Sequence, residues 1–355
     1  MPADNSTSYN SGENTPWIDF SIIENPFGTP ASFTKAMASA IDDGALSYQP
    51  DRTALALRNA LSRTLRLPEE SFLVGTTVSN MIGAVSQAFE PCTVGVMVPC
   101  PSEYVLTLSN TGHRIERITS TVGYVTPNAE VIASQGIGIN AAILANPGYP
   151  TSRLLPESVL LSYIEACDWV VVDERSIELT LNGKSFAPLV EQYRNLIVVQ
   201  TFTEQYALPG APVSYCIAHP DIVSEITRFY DNTDVSFIPE ALAEASVLEH
   251  PKLDGVRGFL YSEIPWMQTM LSLIPGIEIF PAEANYVMCA FRNDEDLQLP
   301  VSNVDELADL LREEGCIVRK LAETPGLGGK GHFCAAVRTR QENERLINTL
   351  RMLLA

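Results

Sequence analysis

Basic side chains are scarce in this chain: 23 Lys+Arg stand against 43 Asp+Glu, a formal net charge of -20 over 355 residues. Nucleic-acid affinity comes mostly from Lys and Arg displacing counterions, so the deficit argues against a nucleic-acid partner. Long apolar runs are missing too. Stretches such as Trp169–Val172 fall far below the roughly 18 residues of a spanning helix, and no membrane insertion is expected. Met1 to Thr15 is polar and carries neither the basic nor the apolar part of a secretion signal. A loose tail, residues 1–16, on a cytoplasmic protein is the expectation. The seven cysteines (Cys92, Cys100, Cys167, Cys216, Cys289, Cys316, Cys334) form no CxxC pair, and the four histidines (His113, His219, His250, His332) show no metal-ligand spacing. Neither a disulfide framework nor a metal site is expected.

What is present is a chain with 46% apolar residues, ample for a large core. From about Trp17 it alternates helical and extended segments without repeats or a long linker, the pattern of an α/β fold. Asp51–Leu67 carries leucines near helical spacing, and Phe72–Val74 follows as a strand. Ala141–Ala145, Trp169–Val172 and Leu196–Val199 are short apolar runs separated by helical segments, as buried parallel strands are. A mostly helical stretch, Pro239–Leu273, is interrupted at Pro251 and Pro265. Strands Ile277–Phe280, Tyr286–Cys289 and Cys316–Arg319 with helices Val304–Glu314 and Arg340–Leu354 then suggest a separate α+β lobe. Ligands of open parallel sheets bind beyond the carboxyl ends of the strands. That directs attention to Asn146–Thr151, Asp173-Glu174 and Thr201–Glu204. Gly136-Ile137-Gly138 precedes a strand and does not open a helix, so it reads as a turn; Gly326–Gly331 lacks the Lys-Ser/Thr of a phosphate loop. His332, just after those glycines, is a weaker candidate for a place near the substrate.

These segments and four others, in register, resemble the fold-type I pyridoxal-phosphate (PLP) enzymes, most closely the group of threonine-phosphate decarboxylase and histidinol-phosphate aminotransferase. Asp19–Gly28 is similar to DFSxNxNPLG, Leu46–Asp51 to the RYPD segment, and Ala145–Pro156 to NPNNPTGRLLP. Val171–Glu174 is similar to VVDEAF, Tyr206–Gly210 to YALPG, Glu283–Tyr286 to SEANF, and Ala336–Asn343 to AVRTPEEN. The resemblance implies an aminotransferase-like fold of type I. Residues 17–45 would form an N-terminal arm or a segment of the small domain, 46–237 a large domain with a mostly parallel sheet between helices, and 238–355 a linking helix and small α+β domain. It also implies a homodimer in which Tyr48 reaches the partner's site.

The lysine that forms the Schiff base in that family aligns with Glu204, and a carboxylate cannot make an imine. Only five lysines exist, Lys35, Lys184, Lys252, Lys320 and Lys330, none at the end of a matching strand. Other contacts have changed as well. Tyr149 stands for the asparagine at the ring hydroxyl, Ser176 for an aromatic, Pro101 for the stacking ring and Pro212 for the phosphate-clamping arginine. The phosphate turn reads Thr77-Val78-Ser79. Asp173, which in relatives pairs with the pyridine nitrogen, remains, as does Arg338, which there grips the substrate carboxylate. Asn25, Asn146, Thr201 and Thr203 also match polar positions. A pocket with a cation at one end and carboxylates at the other is expected.

The leading expectation is an enzyme without cofactor, with Glu204 and Asp173 as acid/base groups in a lyase, cyclase or isomerase type of reaction. Its substrate would be a small amino-acid-like carboxylate bound by Arg338, Asn25, Tyr149 and Tyr48. A second reading keeps PLP or its amine form (PMP) as a non-covalently held ligand of an aminotransferase- or decarboxylase-like enzyme. A third is a non-catalytic partner of an active homologue.

Overall fold

The computed structural model describes residues 17–355 apart from 122, 294–296 and 330. The expected tail (residues 1–16) and Lys330 lie outside the described residues. Thirteen strands are present among the described residues: β1 Ile18–Asp19, β2 Phe72–Gly75, β3 Thr93–Val98, β4 Arg114–Thr119, β5 Ala141–Ala145, β6 Trp169–Asp173, β7 Leu196–Thr201, β8 Ser214–Ala218, β9 Ile277–Ile279, β10 Tyr286–Phe291, β11 Cys316–Ile317, β12 Arg319–Lys320 and β13 His332–Ala336. Seven of them form one sheet in the order β2-β8-β7-β6-β5-β3-β4, parallel except for β8.

Valine-rich, doubly buried strands explain why this sheet sits between helices. Along β6, Trp169 and Val171 pack with Met81 and Tyr104 on one face, while Val170 and Val172 pack with Tyr163 and Phe202 on the other. Side chains alternate across a strand, so a run that is apolar at every position needs cover on both sides. The second sheet is antiparallel, β12-β13-β10-β9, and β1 runs parallel to β11, which stitches the beginning of the described chain to the C-terminal lobe.

Three boundaries differ from the sequence reading for definite reasons. The helix within Asp51–Leu67 spans only Leu55–Leu65, because the Asp51 carboxylate accepts the N–H groups of Thr53 and Leu55 and holds a turn ahead of it. Pro251 does break the helical stretch, into Ile238–Glu249, a 3-10 turn and Leu253–Ser272, but Pro265 does not. Pro265 faces solvent, where the carbonyl that loses its partner can be hydrated. The strand Cys316–Arg319 is split, since Ile317 pairs with Asp19 whereas Arg319 has crossed to pair with Cys334.

The last helix, Arg340–Leu353, begins with a capping box between Thr339 and Glu342. It is anchored to Leu253–Ser272 by buried Glu263, which accepts both Arg340 Nε (2.9 Å) and Asn343 Nδ2 (3.0 Å). No described helix is long and apolar enough to cross a membrane.

Candidate functional site

The carboxyl ends of β5, β6 and β7 lie side by side in the middle of the large sheet, with Ala145 opposite Asp173 and Asp173 opposite Val199. The chain leaves β5 at Asn146, β6 at Asp173-Glu174 and β7 at Thr201, so the segments singled out from sequence converge on one sheet edge.

Asp173 ends β6 and is 2% exposed. Its Oδ2 accepts Tyr104 Oη at 2.5 Å, Arg175 Nε at 2.8 Å and Arg175 Nη2 at 2.6 Å, and its Oδ1 accepts the Arg175 N–H at 3.0 Å. Arg175 Nη2 also reaches Glu103 Oε1 at 2.7 Å. Burial works against a charge on Arg175, but Asp173, Tyr104 and Glu103 together hold it firmly protonated. Tyr104 and Glu103 come from the first turn of the helix Ser102–Asn110, which follows β3. The neighbouring Glu174 is buried and accepts from Ser185 Oγ, Phe186 N–H, Gln200 Nε2 and Asn146 Nδ2; burial raises its pKa and those donors pull back.

Glu204 lies in the four-residue helix Phe202–Gln205 after β7, which is capped when Thr201 Oγ1 accepts the Thr203 N–H at 3.0 Å. The residue keeps some surface, yet its Oε2 is shut away with no hydrogen-bond partner among the described residues. Burial pushes its carboxyl up to about 7, Arg175 opposes the shift and Asp173 adds to it. A carboxyl poised there can both accept and donate a proton near neutral pH.

Asn25 ties the arm to this loop: its N–H donates to the Glu204 carbonyl (2.8 Å), its Nδ2 to the Gln205 carbonyl (3.0 Å), and its Oδ1 accepts the Phe27 N–H (3.0 Å). Asn146 is likewise committed, with Oδ1 accepting the Leu155 N–H at 3.1 Å. Tyr149 has a buried hydroxyl with no partner, its ring centroid 5.9 Å from that of Tyr286 and under the guanidinium of Arg319. Arg338 follows β13 and is partly buried. Its Nε meets Glu342 Oε1 at 3.1 Å, and its Nη1 lies 3.2 Å from the Asp19 carbonyl and 3.8 Å from Glu24 Oε1.

Tyr48 stands apart, 73% exposed, after the turn Ala45–Ser47. Thr77 caps the helix Val78–Ala88, with Ser79 in its first turn. Pro101 precedes the Tyr104 helix and is buried, Ser176 is buried just past Arg175, and Pro212 is half-buried before β8. His332 is the buried first residue of β13, beside the Phe280 ring. No group of three or more potential metal ligands is found among the described residues.

Arg175, Tyr104 and Glu103 were not among the sequence candidates. The one available sign was the charged Arg175 two positions after an aspartate that closes a buried strand.

The model of the aminotransferase class I and II family matches residues 15–350. The chain is 26% identical over 349 residues to histidinol-phosphate aminotransferase of Caldanaerobacter subterraneus subsp. tengcongensis, covering 97% of this chain and 95% of the relative. It is 25% identical over 346 residues to threonine-phosphate decarboxylase of Salmonella typhimurium, covering 95% and 91%. In fold it is similar to the histidinol-phosphate aminotransferase from Clostridium acetobutylicum, with a TM-score of 0.83 at 21% identity over 94% of this chain and 98% of the other. The expectation that no cofactor is used is corrected by this match. It shows the family whose resemblance implies PLP, so a chain built for cofactor-free chemistry is not supported.

The residues present decide how such a group could be held. Register places Gly75, Ser214 and Thr201 in one row at the same sheet edge. The capped start of Val78–Ala88 and the hydroxyls of Thr77, Ser79, Thr201 and Thr203 belong to that region, an arrangement suited to a phosphate. Asp173, one strand beyond, would be the anion for a ring nitrogen, and its carboxylate is engaged by Tyr104 and Arg175. Ser214 Oγ, Glu204 Oε2 and Tyr149 Oη are buried without a hydrogen-bond partner among the described residues, so a ligand there would have polar atoms to satisfy. Among the described lysines, Lys35 and Lys184 are exposed, Lys252 pairs with Glu249 and Lys320 with Asp305. The hydroxyls and the start of Val78–Ala88 suit the phosphate of a phosphorylated pyridine. Matched from residue 15 to residue 350, the chain belongs to the class I and II aminotransferase family.

Proposed function

We propose that this chain catalyses an aminotransferase- or decarboxylase-like reaction on a small amino-acid-like carboxylate, with PLP or PMP held non-covalently. The observation that carries the reading is Glu204. Where the resemblance would put the family's lysine, Glu204 has an Oε2 that is enclosed and unpartnered among the described residues, and burial pushes its pKa up to about 7.

When bound, the cofactor draws electrons away from the α-carbon of an amine-bearing substrate. Asp173 holds negative charge where a ring nitrogen is stabilised, and the first turn of Val78–Ala88 with Thr201 and Thr203 takes the phosphate. Glu204 moves the proton that a lysine amine would otherwise carry, since burial pushes its pKa up to about 7. Arg338 turns towards the substrate carboxylate. A second copy of the chain supports the site through exposed Tyr48.

The test is exchange of the α-hydrogen of amino acids for deuterium, measured by NMR on protein supplied with PLP. Wild type is expected to exchange it. Glu204→Gln is expected to retain the PLP absorbance band and lose exchange by about a hundredfold or more, the scale of a missing general acid/base. Undiminished exchange in Glu204→Gln would remove Glu204 from the reaction.

A further inference from the structure

Asp173 Oδ2 already has three donors: the Tyr104 hydroxyl and two nitrogens of Arg175, all within 2.8 Å. A carboxylate oxygen has about two lone-pair directions, so Oδ2 is saturated. Its Oδ1 is turned to the Arg175 N–H. The guanidinium thus sits on the carboxylate that a pyridine nitrogen would use. Its other contact is Glu103 Oε1, at 2.7 Å, on a side chain that is 36% exposed and therefore nearer solvent than Asp173. One short swing about the Arg175 side chain would exchange a two-carboxylate grip for Glu103 alone.

We propose that Arg175 is a built-in competitor of the ring: it occupies Asp173 until a pyridoxal-class ligand arrives, and it parks on Glu103 when the ligand binds. The inference rests on the non-covalent cofactor reading above. It assigns Arg175 and Glu103 as positioning residues that set the affinity of the site and touch no reacting atom. Two consequences distinguish a competitor from a merely structural ion pair. Removing the guanidinium frees Asp173 and strengthens binding, and removing the parking carboxylate weakens it. Apparent affinity scales with the fraction of protein in the competent arrangement, so both effects are read directly as shifts in the dissociation constant.

The experiment is a titration with PMP, followed by absorbance in equilibrium dialysis, on full-length wild type, Arg175→Ala, Arg175→Gln and Glu103→Gln. Urea unfolding and circular dichroism confirm that each variant is folded, and Arg175→Gln serves where the alanine variant is not. The expected result is PMP binding about tenfold tighter in the Arg175 variants and several-fold weaker in Glu103→Gln. An analogue with CH in place of the ring nitrogen is expected to show no gain in the Arg175 variants. Equal PMP affinity in wild type and Arg175 variants overturns the competitor and leaves the cofactor reading intact. A gain of the same size for the CH analogue overturns it also, because the variant would then only have made room. Absence of PMP binding in every variant overturns the cofactor reading and this inference together.

Discussion

Asp173 and Arg338 are both answered by the chain's own side chains, but with unequal grip. At Asp173 a guanidinium closes on the carboxylate through two nitrogens at 2.6 and 2.8 Å, with a tyrosine hydroxyl beside it, in a buried setting. At Arg338 the contacts are single and longer: 3.1 Å to Glu342 and 3.8 Å to Glu24. Glu342 is also occupied with capping the last helix, and burial raises the pKa of Glu24 against the pull of Arg338. A buried carboxylate oxygen gripped by two guanidinium nitrogens resists exchange, whereas a long contact to a half-buried carboxyl yields to a ligand carboxylate. The Arg338 end is ready to trade partners, and the Asp173 end has to be opened.

Loss of charge at the tight end should give the largest effect. Asp173→Asn leaves the Arg175 guanidinium with Glu103 alone and is expected to lower stability by about 3 kcal/mol, read from urea unfolding. A loss below about 0.5 kcal/mol would mean that the grip contributes little and that the two ends are alike.

Glu204, whose carboxyl feels both Arg175 and Asp173, has an effect that depends on pH. Its folded pKa, about 7, is above the ordinary value of 4.5, so the folded state binds the extra proton between those values and loses stability as pH rises through that window. Below pH 4.5 both states are protonated and the cost is absent. Glu204→Gln removes the charged form, so it is expected to be more stable than wild type by about 2 kcal/mol at pH 8, a figure discounted for partial solvent access, with the difference shrinking towards pH 4.5. Parallel stability curves for the two proteins would place Glu204 in water.

The smallest effect is expected at the loose end. Glu24→Gln removes a competitor of the ligand and should alter stability by less than about 1 kcal/mol. It should also tighten the binding of a small carboxylate several-fold, measured by competition or calorimetry. Weaker binding in that variant would show that Glu24 orients Arg338 and does not compete with the ligand.

Much of this was legible in sequence because it depends on local pattern. The runs at Ala141, Trp169 and Leu196 are apolar at nearly every position, which only doubly covered strands require, and they became the centre of the sheet. Glu204 drew attention in sequence because Tyr206–Gly210, just after it, resembles the family's YALPG segment. Arg175 was not, since an arginine after a strand reads as a surface residue and its return onto Asp173 is a matter of side-chain direction. Glu342 could be anticipated from Thr339 three residues before it, as half of a capping box, but its contact with Arg338 could not. Nothing local announces that Glu24, more than three hundred residues from Arg338 in sequence, comes within 3.8 Å of it.

The most direct measurement of the central claim is the visible spectrum of the purified protein after PLP addition and dialysis, followed by borohydride treatment and intact mass. The account predicts a retained band beyond the protein's aromatic absorption, lost on unfolding, with the chain mass unchanged by borohydride. A chain that gains the mass of the cofactor, or one that retains no band, would contradict it.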